Sequence, residues 1–359
     1  MKRRISREIR LGSLPMGGGN RILIQSMTNA PAHDREGTLK QILALERAGC
    51  DVVRFTVPDM DVVRMIPYYL QNTRVALVAD IHFDHRLAIA ACEAGVHKIR
   101  INPGNIGSAQ KSREVALACK ERGVPIRIGV NSGSLEKRLL EQYGGPTAEA
   151  LAQSGMEQAA VLEDCGFSDI AISVKASSVI TMIEANRILS EKTDYPLHLG
   201  VTEAGGEEMG SIKSAVGIGS LLCDGIGDTL RVSLSADVTK EVAAAKRILL
   251  ACGLCEQGVD LVSCPTCGRT RIDLIGIVKQ LEEALAKEDI KPSRMIRAAV
   301  MGCAVNGPGE AREADVGVAG GDGYALLFKK GEVLHKIPED AIVSVLMEEI
   351  RRLAREGKE

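Results

Sequence analysis

Tryptophan is absent from this sequence, and aromatics make up only 3% of its 359 residues. Glycine, at 37 residues, is by contrast abundant, which fits a fold with many tight turns from strand to helix. Charge of one sign is lacking too. The net charge is −2, so composition gives no bulk electrostatic case for nucleic acid or an anionic membrane. No apolar run approaches the roughly 18 residues that span a bilayer. The basic opening MKRRISREIRLG leads into no apolar segment, so a secretory signal is not expected. Ten cysteines without an export signal argue for metal binding or buried thiols over disulfides, and a cytoplasmic location is the expectation. What remains is a chain long enough for a large core and more than one domain, with 45% apolar and 26% charged residues.

Its first 255 or so residues repeat one unit. Short β-branched runs occur at RILIQSM (21–27), DVVRFTV (51–57), VALVADI (75–81) and HKIRINP (97–103). Four more follow at PIRIGVN (125–131), IAISVKA (170–176), PLHLGVT (196–202) and TLRVSLS (229–235). Helical patterns alternate with them, as in TLKQILALERAG (38–49), and often stop at Gly. Alternation with right-handed crossovers makes a parallel sheet, and eight units in about 250 residues match a (β/α)8 TIM-type barrel. An open doubly wound sheet is the alternative. The expected division is a (β/α)8 barrel over residues 1–257 and a smaller α+β domain over 258–359.

Central parallel strands should be almost wholly apolar. These carry Arg54, Asp80, Arg100, Asn102, Arg127, Asn131, Lys175, Glu203 and Arg231, mostly near their C-terminal ends, where barrel active sites are built. Any one charge could mark a frayed strand end. Cations on five different strands point instead to one strongly anionic small ligand, because a buried cation is costly without an anion. A phosphate or diphosphate is the natural candidate. GIGSLL (217–222) lacks the third glycine of a dinucleotide fingerprint and follows no strand.

Beyond the barrel, SCPTCGRTR (263–271) and GCAVNGPGE (302–310) supply Cys264, Cys267 and Cys303 at the ends of strand-like runs. A tetrahedral zinc or a cubane cluster wants four ligands. Cys252 and Cys255 form a second CxxC that could complete a zinc site, although Cys252 continues the apolar face of a helix. The turn residues 306–309 can bring Glu310 back beside Cys303, either as a fourth and exchangeable ligand or as a capping carboxylate.

VADIHFD (78–84), RINPGNIG (100–107), IRIGVNSGSLEK (126–137), SVKAS (173–177), LHLGVTEAGG (197–206) and GIGDTLRVSL (225–234) stand in order along the chain. With SCPTC and GCAVNGPGE, they make a sequence that closely resembles the bacterial 4-hydroxy-3-methylbut-2-enyl diphosphate synthases of the non-mevalonate isoprenoid pathway. The resemblance implies reductive opening and dehydration of 2-C-methyl-D-erythritol 2,4-cyclodiphosphate by two single electrons from a ferredoxin or flavodoxin. It implies a 4Fe–4S cluster on Cys264, Cys267, Cys303 and Glu310. Arg54, Arg100, Arg127 and Lys175 match the residues that grip the diphosphate, with Asn131 and Ser233 nearby and Arg231 at the same mouth. Glu203 matches a carboxylate that handles protons, with Asp80 close to it. A head-to-tail homodimer, with each site shared between chains, is implied as well. A zinc-dependent barrel hydrolase or lyase, and a zinc-ribbon interaction module on a barrel, are the competing classes.

Overall fold

The computed structural model describes residues 2–102, 106, 108–288, 290, 292–305, 309 and 311–356. The chain divides into two compact units, Met1–Cys252 and Gly253–Glu359.

The first unit opens with a hairpin of β1 (Ile9–Leu11) and β2 (Leu14–Met16). Eight strands follow: β3 (Leu23–Met27), β4 (Val52–Thr56), β5 (Ala76–Ile81), β6 (Lys98–Ile101), β7 (Ile126–Asn131), β8 (Ile170–Lys175), β9 (His198–Leu199) and β10 (Thr229–Leu230). They pair in parallel in the order β8-β7-β6-β5-β4-β3-β10-β9. A parallel bridge from Ile172 to Leu197 joins β8 back to the β9 segment. The Ile172 amide donates to Pro196 O at 2.9 Å and the Thr202 amide to Ala176 O at 3.3 Å. The sheet thus closes on itself, and the barrel expectation holds over the open sheet.

Acidic and hydroxyl residues start the helices between the strands. Asp34, Asp59, Asp84, Ser108, Ser178 and Asp237 each accept a backbone N–H of the first turn, satisfying donors that the helix leaves unpaired. Buried Val, Ile, Leu and Ala line the helix–strand layer throughout.

The opening hairpin was not foreseen from the sequence. Ile9, Leu11 and Met16 pack against Leu23, Val52, Ala76, Val78 and Ala171, the inward residues at the N-terminal end of the barrel. An apolar plug therefore closes the floor. The basic residues before it are anchors. Arg4 donates to Ser190 O at 3.0 Å and to Thr193 O, at the C-terminal end of the helix Val179–Lys192, where a cation is favoured. Ser6 Oγ donates to Asp228 at 2.7 Å.

The second unit is a five-stranded mixed sheet of β11 (Gly258–Ser263), β12 (Met295–Met301), β13 (Val316–Gly321), β14 (Tyr324–Lys329) and β15 (Glu332–Pro338). The first three strands run parallel and the last two antiparallel. The helices Leu274–Lys287 and Ile342–Glu356 bury Ile277, Leu281, Leu346 and Ile350 against Val300, Val318 and Leu327. This is an α+β layer, as expected for the smaller domain.

If the hairpin is a structural plug, Leu11→Ala should cost the barrel about 2–5 kcal/mol, measured by urea denaturation. A cost below about 1 kcal/mol would mean that the plug is dispensable.

Candidate active site

Successive side chains of a strand alternate between its two faces, so every second residue of each barrel strand points inward. That rule aims Arg54 of β4, Asp80 of β5, Arg100 of β6, Arg127 of β7 and Lys175 of β8 at the axis, and the register sets Asp80 beside Arg100 and Arg100 beside Arg127. A cavity of about 90 Å³ opens among them. Arg54, Arg100, Arg127, Asn131, Lys175, Arg231 and Ser233 all line it, together with Gly129, Ser173 and Thr202. The seven residues assigned to substrate from the sequence thus share one cavity.

Two carboxylates hold part of this charge. Asp80 accepts from Arg100 at 2.9 Å and lies 3.6 Å from Arg54 and 3.7 Å from His82. Glu241, on the helix Val238–Ala251, takes Arg231 at 3.1 Å, Ser26 Oγ at 2.7 Å and the Leu234 amide at 3.2 Å. Arg54 also donates to Met27 Sδ at 2.9 Å. Burial opposes the ionisation of Asp80, yet Arg54, Arg100 and His82 outweigh it and hold the carboxyl at about 2. Ionised and paired in this way, Asp80 stands as a counter-ion to the guanidinium groups.

The balance stays positive. Burial and repulsion by Arg231 and Arg100 pull Arg54 down to about 10, against the attraction of Asp80. Arg127 is 1% exposed, and its Nε and Nη2 have no hydrogen-bond partner among the described residues. Burial, then Arg54 and Arg100, opposes its charge. Burial, then Arg231 and Arg127, does the same to Lys175. Arginine does not shed its proton in such a place, so the repulsion persists until an anion enters.

Room for these side chains comes from two glycines that the sequence reading passed over. A Cβ on Gly129 would lie 2.6 Å from Arg100 Nε, and one on Gly200 would lie 2.8 Å from Lys175 Nζ. A glycine inside a strand pattern is the signal that marks such a close approach. Asn102 is buried and donates to Ser134 Oγ at 2.9 Å, bracing the loop after β7.

The second unit presents its cysteines in the same manner. Ser263 at the end of β11 pairs with Val300 of β12, so Cys264 and Cys303 follow the C-terminal ends of adjacent parallel strands. The Gly302 amide donates to Cys264 Sγ at 3.2 Å, and the Arg271 amide to Gly302 O at 2.8 Å, tying the two loops together. Cys267 is exposed. The Arg269 amide and guanidinium lower its pKa, favouring thiolate. No three Cys, His, Asp or Glu side chains lie close enough to grip a metal among the described residues. Glu310, and residues 306–308 of its turn, lie outside the described residues. Cys252 caps the helix Val238–Ala251, its Sγ 4.0 Å from Gly219 O within the barrel unit.

Residues 6–246 match the GcpE TIM-barrel domain, and residues 260–352 match the GcpE protein C-terminal domain. The chain belongs to the GcpE family. It is 54% identical over 353 residues to the 4-hydroxy-3-methylbut-2-en-1-yl diphosphate synthase (flavodoxin) of Clostridium perfringens, covering 98% of this chain and 100% of the relative. The synthase of the same name from Caldanaerobacter subterraneus subsp. tengcongensis is 51% identical over 354 residues, 99% of each chain. Among solved structures, type I 3-dehydroquinate dehydratase from Clostridium difficile superposes with a TM-score of 0.52 at 12% identity, covering 69% of this chain and 98% of that one. Yersinia pestis dihydropteroate synthase follows at 0.50 and 14%, covering 68% and 98%. These distant likenesses concern the barrel fold alone.

In this GcpE-family barrel, Glu203 stands just beyond β9, exposed and outside the cavity lining. Its φ is 55°, a left-handed backbone that costs a non-glycine residue about 1–2 kcal/mol. Strain of this kind collects at functional positions, and no sequence pattern announced it. Glu203→Gly should therefore raise the thermal midpoint by relieving about 1 kcal/mol while turnover collapses. A Glu203→Gly variant that melts earlier, or one that keeps full turnover, would remove the case for functional strain here.

Proposed function

We propose that this chain catalyses the reaction for which its relatives are named, making 4-hydroxy-3-methylbut-2-enyl diphosphate from 2-C-methyl-D-erythritol 2,4-cyclodiphosphate. Ring opening and loss of water consume two electrons and two protons. The observation that carries the reading is the cavity itself: four arginines and a lysine from five strand segments, only partly neutralised, around a space sized for a small anion.

Arg54, Arg100, Arg127, Lys175 and Arg231 hold the diphosphate by charge-assisted hydrogen bonds, with Asn131 and Ser233 completing the lining. Asp80 and Glu241 fix the directions of the guanidinium groups. Glu203, at the rim, supplies a proton to the oxygen released as the C–O bond breaks. The cysteine loops suit a 4Fe–4S cluster: thiols at two adjacent strand ends, with an amide already donating to one sulfur. Cys264, Cys267 and Cys303 would hold it, with Glu310 as the exchangeable fourth ligand. When bound, such a cluster supplies single electrons and Lewis acidity. The relatives, named as flavodoxin-dependent synthases, favour a flavodoxin over a ferredoxin as the donor. The proposed setting is the cytoplasm, where the thiols stay reduced; among the described residues, no helix is long and apolar enough to cross a membrane.

Anaerobically purified protein should contain about four iron and four sulfide per chain and turn over the cyclic diphosphate. Arg127→Ala should weaken substrate binding by roughly ten- to a hundredfold, the loss of about 1.5–3 kcal/mol, with iron content unchanged. Zinc in place of iron, or loss of iron in Arg127→Ala, would overturn the assignment.

We also propose a head-to-tail homodimer in which the cysteine unit of one chain serves the barrel of its partner. The closing helix of a (β/α)8 barrel runs back from the catalytic face, and only residues 252–257 separate the helix Val238–Ala251 from β11. Subunit exchange between the inactive variants Arg127→Ala and Cys264→Ala should then restore roughly a quarter of the sites, since about half of the dimers are mixed and each has one intact site. Proven heterodimers with no recovered turnover would place the whole site in one chain.

A further inference from the structure

Beneath the cationic cavity, and outside its lining, lies a second tier of polar side chains. Gln25 of β3, Lys98 of β6 and His198 of β9 sit two residues before Met27, Arg100 and Gly200, and so point inward with them. Their exposures are 1%, 0% and 0%. Both amide atoms of Gln25, Nζ of Lys98 and Nε2 of His198 have no hydrogen-bond partner among the described residues. The other ring nitrogen of His198 meets Thr229 Oγ1 at 2.6 Å.

Lys98 is the anomaly of the three. An ammonium sealed in protein requires an anion or several acceptors. Asp80 is already engaged by Arg100, Arg54 and His82, and Glu241 by Arg231, Ser26 and the Leu234 amide. The charges that Lys98 feels most are Arg127 across on β7 and Arg54 on β4. Arg100 stands two residues along its own strand, and Lys175 adds a further cation on β8. The neighbouring His198 ring is held neutral by burial, with Arg127, Lys175 and Lys98 all opposing its protonation. Burial, and then repulsion by Arg127 and Arg54, pushes Lys98 well below the ordinary lysine value. Burial among cations, with no acceptor in reach among the described residues, thus disfavours the charged ammonium.

A diphosphate reverses the sign of that environment. Its negative charge offsets the field of the arginines, so the repulsion at Lys98 falls and the amine is drawn towards the anion. Arginine cannot respond in this way, because it never gives up its proton, whereas a buried lysine can. Lys175 lines the cavity and meets the ligand directly; Lys98 does not line it and acts through the field alone.

We propose that Lys98 is a charge-adjusting floor to the site: neutral until a diphosphate settles among the arginines, it then takes up one proton from solvent and strengthens their hold. The inference rests on the diphosphate reading of the cavity. By linkage, proton uptake on binding makes affinity rise as pH falls, across the interval between the Lys98 pKa without ligand and the higher one with ligand.

The test is calorimetric titration of 2-C-methyl-D-erythritol 2,4-cyclodiphosphate into the anaerobically purified full chain, in HEPES and in Tris at one pH. The difference in heat between the buffers counts the protons. Lys98→Met should take up about one proton fewer per site than the wild type and bind roughly tenfold more weakly. Its thermal midpoint without ligand should rise, since an unpaired buried amine gives way to an apolar chain of similar shape. Lys98→Arg, a permanent cation, should lose the same proton uptake. Equal proton counts in wild type and both variants, with tight binding throughout, would overturn the inference and leave the diphosphate reading standing. A Lys98→Met chain that melts earlier or fails to fold would show that the lysine serves structure. If the wild type itself does not bind the diphosphate, the reading of the cavity falls, and the inference with it.

Discussion

Inside the barrel, Arg54, Arg100, Arg127, Lys175 and Arg231 share their space with two carboxylates, Asp80 and Glu241. That imbalance governs the rest of the unit. Cations in a low-dielectric interior repel one another and lack hydration, so the surrounding structure has to hold them in place against their own field. The parallel sheet does this by closing on itself, and the apolar hairpin does it by sealing the floor with Ile9, Leu11 and Met16. The result is a polar upper barrel over a dry base.

Both units use one geometric device. Parallel strands present their C-terminal ends side by side, so residues far apart in sequence converge within one loop layer. In the barrel these residues are cations. In the second unit they are thiols, Cys264 after β11 and Cys303 after β12, joined through the Gly302 amide. On the proposed reading, single-electron chemistry on an anionic substrate would need both sets: one to neutralise the diphosphate, the other to hold the redox group. Neither set suffices alone.

The legible part of this architecture was whatever strand periodicity and charge made conspicuous. Eight β-branched runs matched eight strands, although β9 and β10 shrank to the pairs His198–Leu199 and Thr229–Leu230. Charges at strand ends identified the cavity lining, since a cation in a parallel strand contradicts the apolar rule. Lys98 escaped the same logic. It lies at the start of β6, where a charge reads as a solvated strand entry, and only the closed barrel shows that no solvent is there. The hairpin escaped because strands of three residues carry no periodic signal. The left-handed backbone of Glu203 is likewise set by the tertiary fold, and no spacing of residue types encodes it.

The two carboxylates explain why the site is poised rather than broken. With both removed, the guanidinium groups would face one another unshielded. With a carboxylate for every cation, the cavity would be neutral and an anionic ligand would gain nothing by entering. Asp80 is kept ionised by Arg54, Arg100 and His82 against the cost of burial, with its carboxyl at about 2. A carboxyl depressed below its usual 3.8 contributes stability that is present above that pH and is lost as pH falls towards 2. At neutral pH the counter-ion is therefore always present, and the remaining positive charge is the quantity left free for the ligand. Arginine fixes most of that charge permanently. Lys98, buried beside those arginines and with no hydrogen-bond partner among the described residues, leaves the remainder adjustable, so a barrel that is stable without an anion is still strongly attractive to one.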